Sequence, residues 1–174
     1  MRHSVQPEKK PGPSEPGVVT RLFVTDVDGV LTDGRLDYGV SGEDRKTFDV
    51  KDGQGIVMLQ QRGVVVALIT ERRSHAVDAR ATELGIKHVL QGIRDKGEAV
   101  ASIQKELGIA VSETAAMGDD LPDLAMFSLA GISFAPADAE FEVCKAATIV
   151  TRRSDGRGAF RDAARHVLCM NADE

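Results

Sequence analysis

A chain of 174 residues, 42% apolar, with a net charge of −5, suits one globular domain with a real core. One tyrosine, no tryptophan and no long basic run argue against a nucleic-acid binder. No apolar run approaches the ~18 residues of a spanning helix, and no secretory signal opens the chain. Cys144 and Cys169 have neither CxxC nor metal-ligand spacing, so they read as free thiols of a cytoplasmic protein with no membrane partner.

Residues 1–18 contain "QPEKKPGPSEPG" and four of the six prolines, which predicts a disordered tail before a domain over residues 19–174. "RLFVT" predicts a buried strand. "GQGIVMLQQRG" predicts a helix that stops at Gly63, and "VVVALIT" a strand covered on both faces. "SHAVDARATELG" reads as a helix capped by Ser74, "HVL" as a short strand, and "DKGEAVASIQKELG" as a helix. Then come a strand at "ETAAMG", a helix at "LPDLAMFSLAG", strands at "ISFA" and "AATIVT", and a closing helix at "GAFRDAARHVLCM". This alternation predicts an α/β fold: a Rossmann-like parallel sheet with helices on both faces. The glycine-rich segment 29–50 breaks the alternation and predicts a β-hairpin flap after strand one, over the carboxyl ends of the strands.

The polar residues expected at those ends form a chemical set. Strand one runs into Asp26-Val27-Asp28-Gly29. The second strand ends in Thr70, Lys96 opens the helix after the third, and the fourth runs into Gly118-Asp119-Asp120, with Asp123 a turn later. Alone, Asp26 and Asp28 would suit a capped turn. Grouped hard oxygens instead suit Mg²⁺, which offsets their repulsion. One carboxylate can then attack a phosphoryl group, and a second can protonate the leaving oxygen and activate water. Thr70 and Lys96, with the amides of Gly29 and Glu71, are placed to hold phosphate oxygens. The four histidines are scattered and suggest no ligand set.

"DVDGVLT", "LIT", "DK" and "GDDLPD", in that order, resemble the four motifs of the haloacid dehalogenase superfamily of phosphatases. With "KTFDVKDGQGI", "ITER", "LQGIRDK" and "GRGAFRD", the chain resembles the small, nearly capless 3-deoxy-D-manno-octulosonate 8-phosphate phosphatase family. The resemblance covers most of residues 22–167. It implies an Mg²⁺-dependent phosphatase of lipopolysaccharide synthesis that acts on a phosphorylated 3-deoxy-2-ulosonic acid. It also implies a homotetramer in which a neighbouring subunit helps close each site. By position, Asp26 is the nucleophile and Asp28 the general acid/base. Asp26, the Asp28 carbonyl and Asp119 bind the metal, with Asp120 close by. Arg72 faces the sugar acid, as do Lys46, Asp52 and Arg157.

Two departures stand out. Glu71 occupies the place where the octulosonate enzymes usually carry glycine, and only "CMNADE" follows the last helix pattern. The "TER" form resembles phosphatase-like domains fused to sialic-acid cytidylyltransferases. Two alternatives therefore stay open: a nonulosonate (sialic acid or KDN) 9-phosphate phosphatase, and a non-catalytic oligomerisation module partnering a sugar cytidylyltransferase. Retention of Asp26, Asp28, Thr70, Lys96 and Asp119 together favours an enzyme, because unpaired carboxylates cost stability.

Overall fold

The computed structural model describes residues 19–40 and 44–172; the tail expected over residues 1–18 lies outside them. In chain order, β1 (Leu22–Thr25) leads into a flap made of β2 (Asp37–Tyr38) and β3 (Asp44–Arg45). Then follow α1 (Val50–Gln61), β4 (Val65–Thr70), α2 (His75–Glu83), β5 (His88–Gln91) and α3 (Lys96–Leu107). The second half comprises β6 (Thr114–Met117), α4 (Leu124–Phe127), β7 (Ile132–Ala135), α5 (Phe141–Ala146), β8 (Ile149–Val150) and α6 (Ala159–Met170). The main sheet has the order β5-β4-β1-β6-β7-β8, every neighbour parallel, while β2 and β3 pair antiparallel on their own.

Strands buried on both faces read as unbroken apolar runs, and β1 is fully buried along its length. Its side chains alternate between two cores. Leu22 and Val24 join Ile69 of β4 and Val100 and Ile103 of α3 on one face. Phe23 joins Leu68, Ile56 and Leu59 of α1, and Ala164 of α6 on the other. The Phe23 ring lies 4.8 Å from Phe160 and 5.9 Å from Phe134. Asp49 caps α1 by accepting from Lys51 N at 2.7 Å, and the helix begins at Val50, three residues before the expected Gly53. Ser74 caps α2 as expected, and Asp95 caps α3.

Two elements differ from expectation. The helix predicted over residues 121–131 is a 3-10 turn at Leu121–Asp123 followed by the single turn of α4. Ser128 Oγ donates back to Ala125 O at 2.8 Å, satisfying the turn's end locally. The strand predicted at "AATIVT" is trimmed to Ile149–Val150 because α5 precedes it. Only Val143 of α5 is buried, so the segment carries no apolar stripe to read. Among the described residues, no helix is long and apolar enough to cross a membrane.

Asp52, expected to face a sugar, is placed elsewhere. It is buried in α1, where Oδ2 accepts from Gly158 N at 3.0 Å and Oδ1 from Arg161 N at 2.9 Å. Its carboxylate caps the first turn of α6, so both oxygens are engaged by backbone. Burial pushes its pKa up to about 6, against the lowering effect of those two bonds. Asp52→Ala leaves two N–H groups without their acceptor and should lower unfolding stability by about 1–3 kcal/mol, measured by denaturant titration. An unchanged stability with a raised KM would instead return Asp52 to the sugar.

Candidate active site

The strand order reverses direction at β1, which lies between β4 and β6. In such sheets the crevice beyond the carboxyl ends at that point is where ligands bind. A cleft of about 520 Å³ opens there, lined by Asp26, Asp28, Thr70, Lys96, Asp119 and Asp123. Each arrives by a short route from a rigid strand. Asp26 follows β1, with its N–H bonded to Met117 O at 3.0 Å. Thr70 ends β4, Lys96 opens α3, and Asp119 follows β6 by one glycine.

Charge is unevenly matched in this cleft. Lys96 Nζ lies 3.0 Å from Asp26 Oδ1 and 2.5 Å from Asp123 Oδ1, and its side chain is 5% exposed. Asp26, Asp119 and Asp123 each bring an oxygen within 4.8 Å of the others. Three carboxylates thus share one ammonium. Burial, with Asp123 nearby, pushes the Asp26 pKa up to about 7 despite Lys96. Burial, with Asp26 and Asp123, pushes Asp119 up to about 8. Burial works against the charge on Lys96, but Asp26 and Asp123 outweigh it and hold its pKa above the ordinary value. Asp28 Oδ2 and Asp119 Oδ1 are buried and accept no hydrogen bond, and the buried Asp26 Oδ1 has only the Lys96 ammonium, 3.0 Å away, beside it.

Asp123, a turn after Asp119-Asp120 in the sequence, organises the cluster. It is fully buried, and Oδ2 accepts from the amides of Asp119 at 2.9 Å and Asp120 at 3.2 Å. Both of its oxygens are therefore occupied, one by Lys96 and one by backbone. Two glycines make the packing possible. A Cβ on Gly118 would fall 2.2 Å from Asp123 Cβ. Gly29 has φ +86°, and a Cβ there would fall 2.0 Å from Asp119 Oδ2. Gly29, expected at the phosphate, therefore also leaves room for Asp119.

The remaining expected residues divide. Glu71 and Arg72 are exposed and line the rim of the cleft. Arg72 Nη1 reaches Tyr38 OH of the flap at 3.5 Å, so this arginine spans the mouth. Asp120 also lines the cleft but is exposed, and its Oδ1 accepts from Leu121 N at 2.7 Å as a cap. The structure does not bring its carboxylate into the Asp26–Asp119–Asp123 cluster. Lys46, expected to face the sugar, pairs with Asp28 Oδ1. Arg157 is exposed on the loop before α6 and does not line the cleft. That loop packs on the foot of the flap, where Gly156 N donates to Val30 O at 3.0 Å.

The donor set fits a small hard cation. It offers carboxylate oxygens alone, from two groups with raised pKa, and two of the oxygens, Asp28 Oδ2 and Asp119 Oδ1, are buried without a hydrogen bond. Since Asp123 is already spent, Asp26 and Asp119 are the side chains placed to hold the ion, with Asp28 beside them.

Comparison with known proteins agrees with this geometry. Residues 88–161 match the haloacid dehalogenase-like hydrolase family. The chain is 41% identical over 148 residues to the 3-deoxy-D-manno-octulosonate 8-phosphate phosphatase KdsC of Haemophilus influenzae, covering 85% of this chain and 82% of that protein. It is 42% identical over 142 residues to the enzyme of the same name from Escherichia coli K12, covering 82% and 76%. Among solved structures it is similar to the Moraxella catarrhalis 3-deoxy-D-manno-octulosonate 8-phosphate phosphatase in complex with a magnesium ion, a phosphate ion and KDO. That match has a TM-score of 0.85 and 39% identity and covers 88% of each chain. The cobalt-bound form of the Haemophilus influenzae enzyme matches with a TM-score of 0.85 and 40% identity, covering 88% of this chain and 90% of that one. The α/β fold expected from the sequence is present, and the chain belongs to the 3-deoxy-D-manno-octulosonate 8-phosphate phosphatase family of haloacid dehalogenase-like hydrolases.

Proposed function

We propose that this chain is a Mg²⁺-dependent phosphatase that hydrolyses 3-deoxy-D-manno-octulosonate 8-phosphate. The observation that carries the proposal is the meeting of Asp26, Asp28, Asp119 and Lys96 in one cleft, with Asp28 Oδ2 and Asp119 Oδ1 buried and without hydrogen bonds. Relatives about 40% identical bear that activity in their names, and one holds magnesium, phosphate and KDO together.

Asp26 and Asp119 would hold the cation. When bound, Mg²⁺ supplies charge that keeps both acids ionised and screens the phosphate from them. The protein's own groups carry the reaction. A carboxylate oxygen of Asp26 attacks phosphorus in line, and the bond from phosphorus to the sugar oxygen breaks. Asp28 gives its proton to that oxygen, so the sugar leaves as an alcohol and an aspartyl-phosphate remains. Asp28, now ionised, takes a proton from water, whose oxygen attacks phosphorus. The Asp26 carboxylate and inorganic phosphate are released. Lys96, the Thr70 hydroxyl and the amides of Gly29 and Glu71 hold the phosphoryl oxygens, while Asp123 keeps Lys96 and the Asp119 loop in place.

At the rim, Arg72 is the cation placed to meet the acid group of the sugar, and Glu71 stands beside it. A second carboxylate at that point gives a specific reason to test nonulosonate 9-phosphates as the other substrate. A homotetramer in the cytoplasm completes the proposal; it is supported by the family relationship and by exposed Tyr38 and Val40 on the flap.

Phosphate release from octulosonate 8-phosphate and a nonulosonate 9-phosphate, each with and without Mg²⁺, tests the proposal. Turnover of the first only with Mg²⁺ supports it; preference for the second makes Glu71-Arg72 the specificity feature; no turnover of either sinks it. Asp26→Asn should abolish release while the protein still unfolds cooperatively. Stability gives a check without substrate. Asp52, Asp26 and Asp119 have folded-state pKa values of about 6, 7 and 8, above the ordinary 3.8. Their protonated forms are favoured by folding, so this contribution is lost as pH rises through those values. The metal-free protein should therefore melt at progressively lower temperature from about pH 5 to pH 9, and Mg²⁺ should restore most of the loss at the alkaline end. A flat profile would mean that burial does not raise the pKa values of these acids.

A further inference from the structure

We infer that Lys46 is a positioning residue that sets Asp28 for proton transfer and ties its orientation to the seating of the flap. The inference rests on the phosphatase reaction proposed above, in which Asp28 is the acid/base.

Lys46 directly follows β3, at the returning foot of the flap, 18 residues from Asp28 at the departing foot. A lysine on a surface flap ordinarily extends its ammonium into water. This side chain is instead 1% exposed, with Nζ on Asp28 Oδ1. Burying an ammonium costs several kcal/mol unless a carboxylate compensates it, so the contact specifies the path of the lysine as well as that of the acid.

The two oxygens of Asp28 are thereby given different tasks. Oδ1 accepts from Lys46 and, at 3.5 Å, from Thr32 Oγ1. Oδ2 is buried and accepts no hydrogen bond. With Oδ1 held, the carboxylate cannot turn, and Oδ2 is the oxygen left to exchange a proton with the leaving group and with water. The ion pair also closes the base of the flap, since one partner lies on each foot. Lifting the flap withdraws Lys46 and frees Asp28 to rotate. Proton transfer is then supported only while the flap is seated, which keeps the acid/base ready when the substrate is covered.

The test compares Lys46→Met, alone and in an Asp28→Asn background, on two Mg²⁺-supported substrates: octulosonate 8-phosphate and glycerol 3-phosphate, which lacks the sugar acid. Positioning predicts a kcat loss of roughly 10–100-fold on both, with KM within about twofold of wild type, and no further loss when the second substitution is added. A loss confined to KM for the sugar phosphate would make Lys46 a sugar contact and overturn the inference. Losses that multiply in the double variant would overturn it too. Hydrogen exchange over residues 29–48 reads the same coupling without turnover. Either single substitution should speed exchange there, and the double substitution no more than one. That arm keeps the inference testable if wild type releases no phosphate, an outcome that sinks the phosphatase proposal instead. Lys46→Gln replaces Lys46→Met if the latter does not fold.

Discussion

Among the described residues, Lys96 is the ammonium that pairs with Asp26 and Asp123 of the acid cluster. It sits between Asp26 and Asp123 at 3.0 and 2.5 Å, at the point where the sheet changes direction. Without it, the carboxylates brought together by β1 and β6 would face one another across a buried cleft. Even with it, burial and their neighbours hold the Asp26 and Asp119 pKa values well above the ordinary carboxylate range. The cleft is therefore built short of positive charge, and that deficit is what lets a divalent cation bind. The same deficit explains the glycines. Room for Asp119 comes from the missing side chain of Gly29, and room for Asp123 from that of Gly118.

Much of this was legible before any coordinates. The parallel sheet follows from strands such as "VVVALIT", whose apolar residues occupy both faces. The site follows from polar residues that interrupt such runs where strands end. What periodicity could not deliver were elements with almost no buried stripe, such as α5, and helices cut short by local hydrogen bonds, such as α4. The N-cap at Asp49 also escaped, because an apolar pattern marks the middle of a helix better than its first turn.

The side chains around the acid cluster were less legible, for a different reason. Position in a motif says that a residue is near the site, not which neighbour it touches. Asp52 and Lys46 both come from the segment after the flap, yet one caps α6 and the other holds Asp28. Asp120 and Asp123 are three residues apart in one acidic motif. The first is exposed and caps a turn; the second is buried and governs Lys96. Such divisions depend on direction and burial, which a linear string does not carry.

The anchoring of the flap has a bearing on how this architecture can change. Its outgoing arm is tied at Val30 to Gly156, and the helix it returns to is tied at Asp52 to the start of α6. Both roots are thus fastened to the loop and helix at the far end of the chain. Among the described residues, β2 and β3 pair with each other and not with the main sheet. Extra residues inserted between β2 and β3 would lengthen a connection whose closure entropy grows only slowly with length. The same insertion at either root would displace the clasp. A roof over the cleft can therefore grow from its ridge without disturbing its walls.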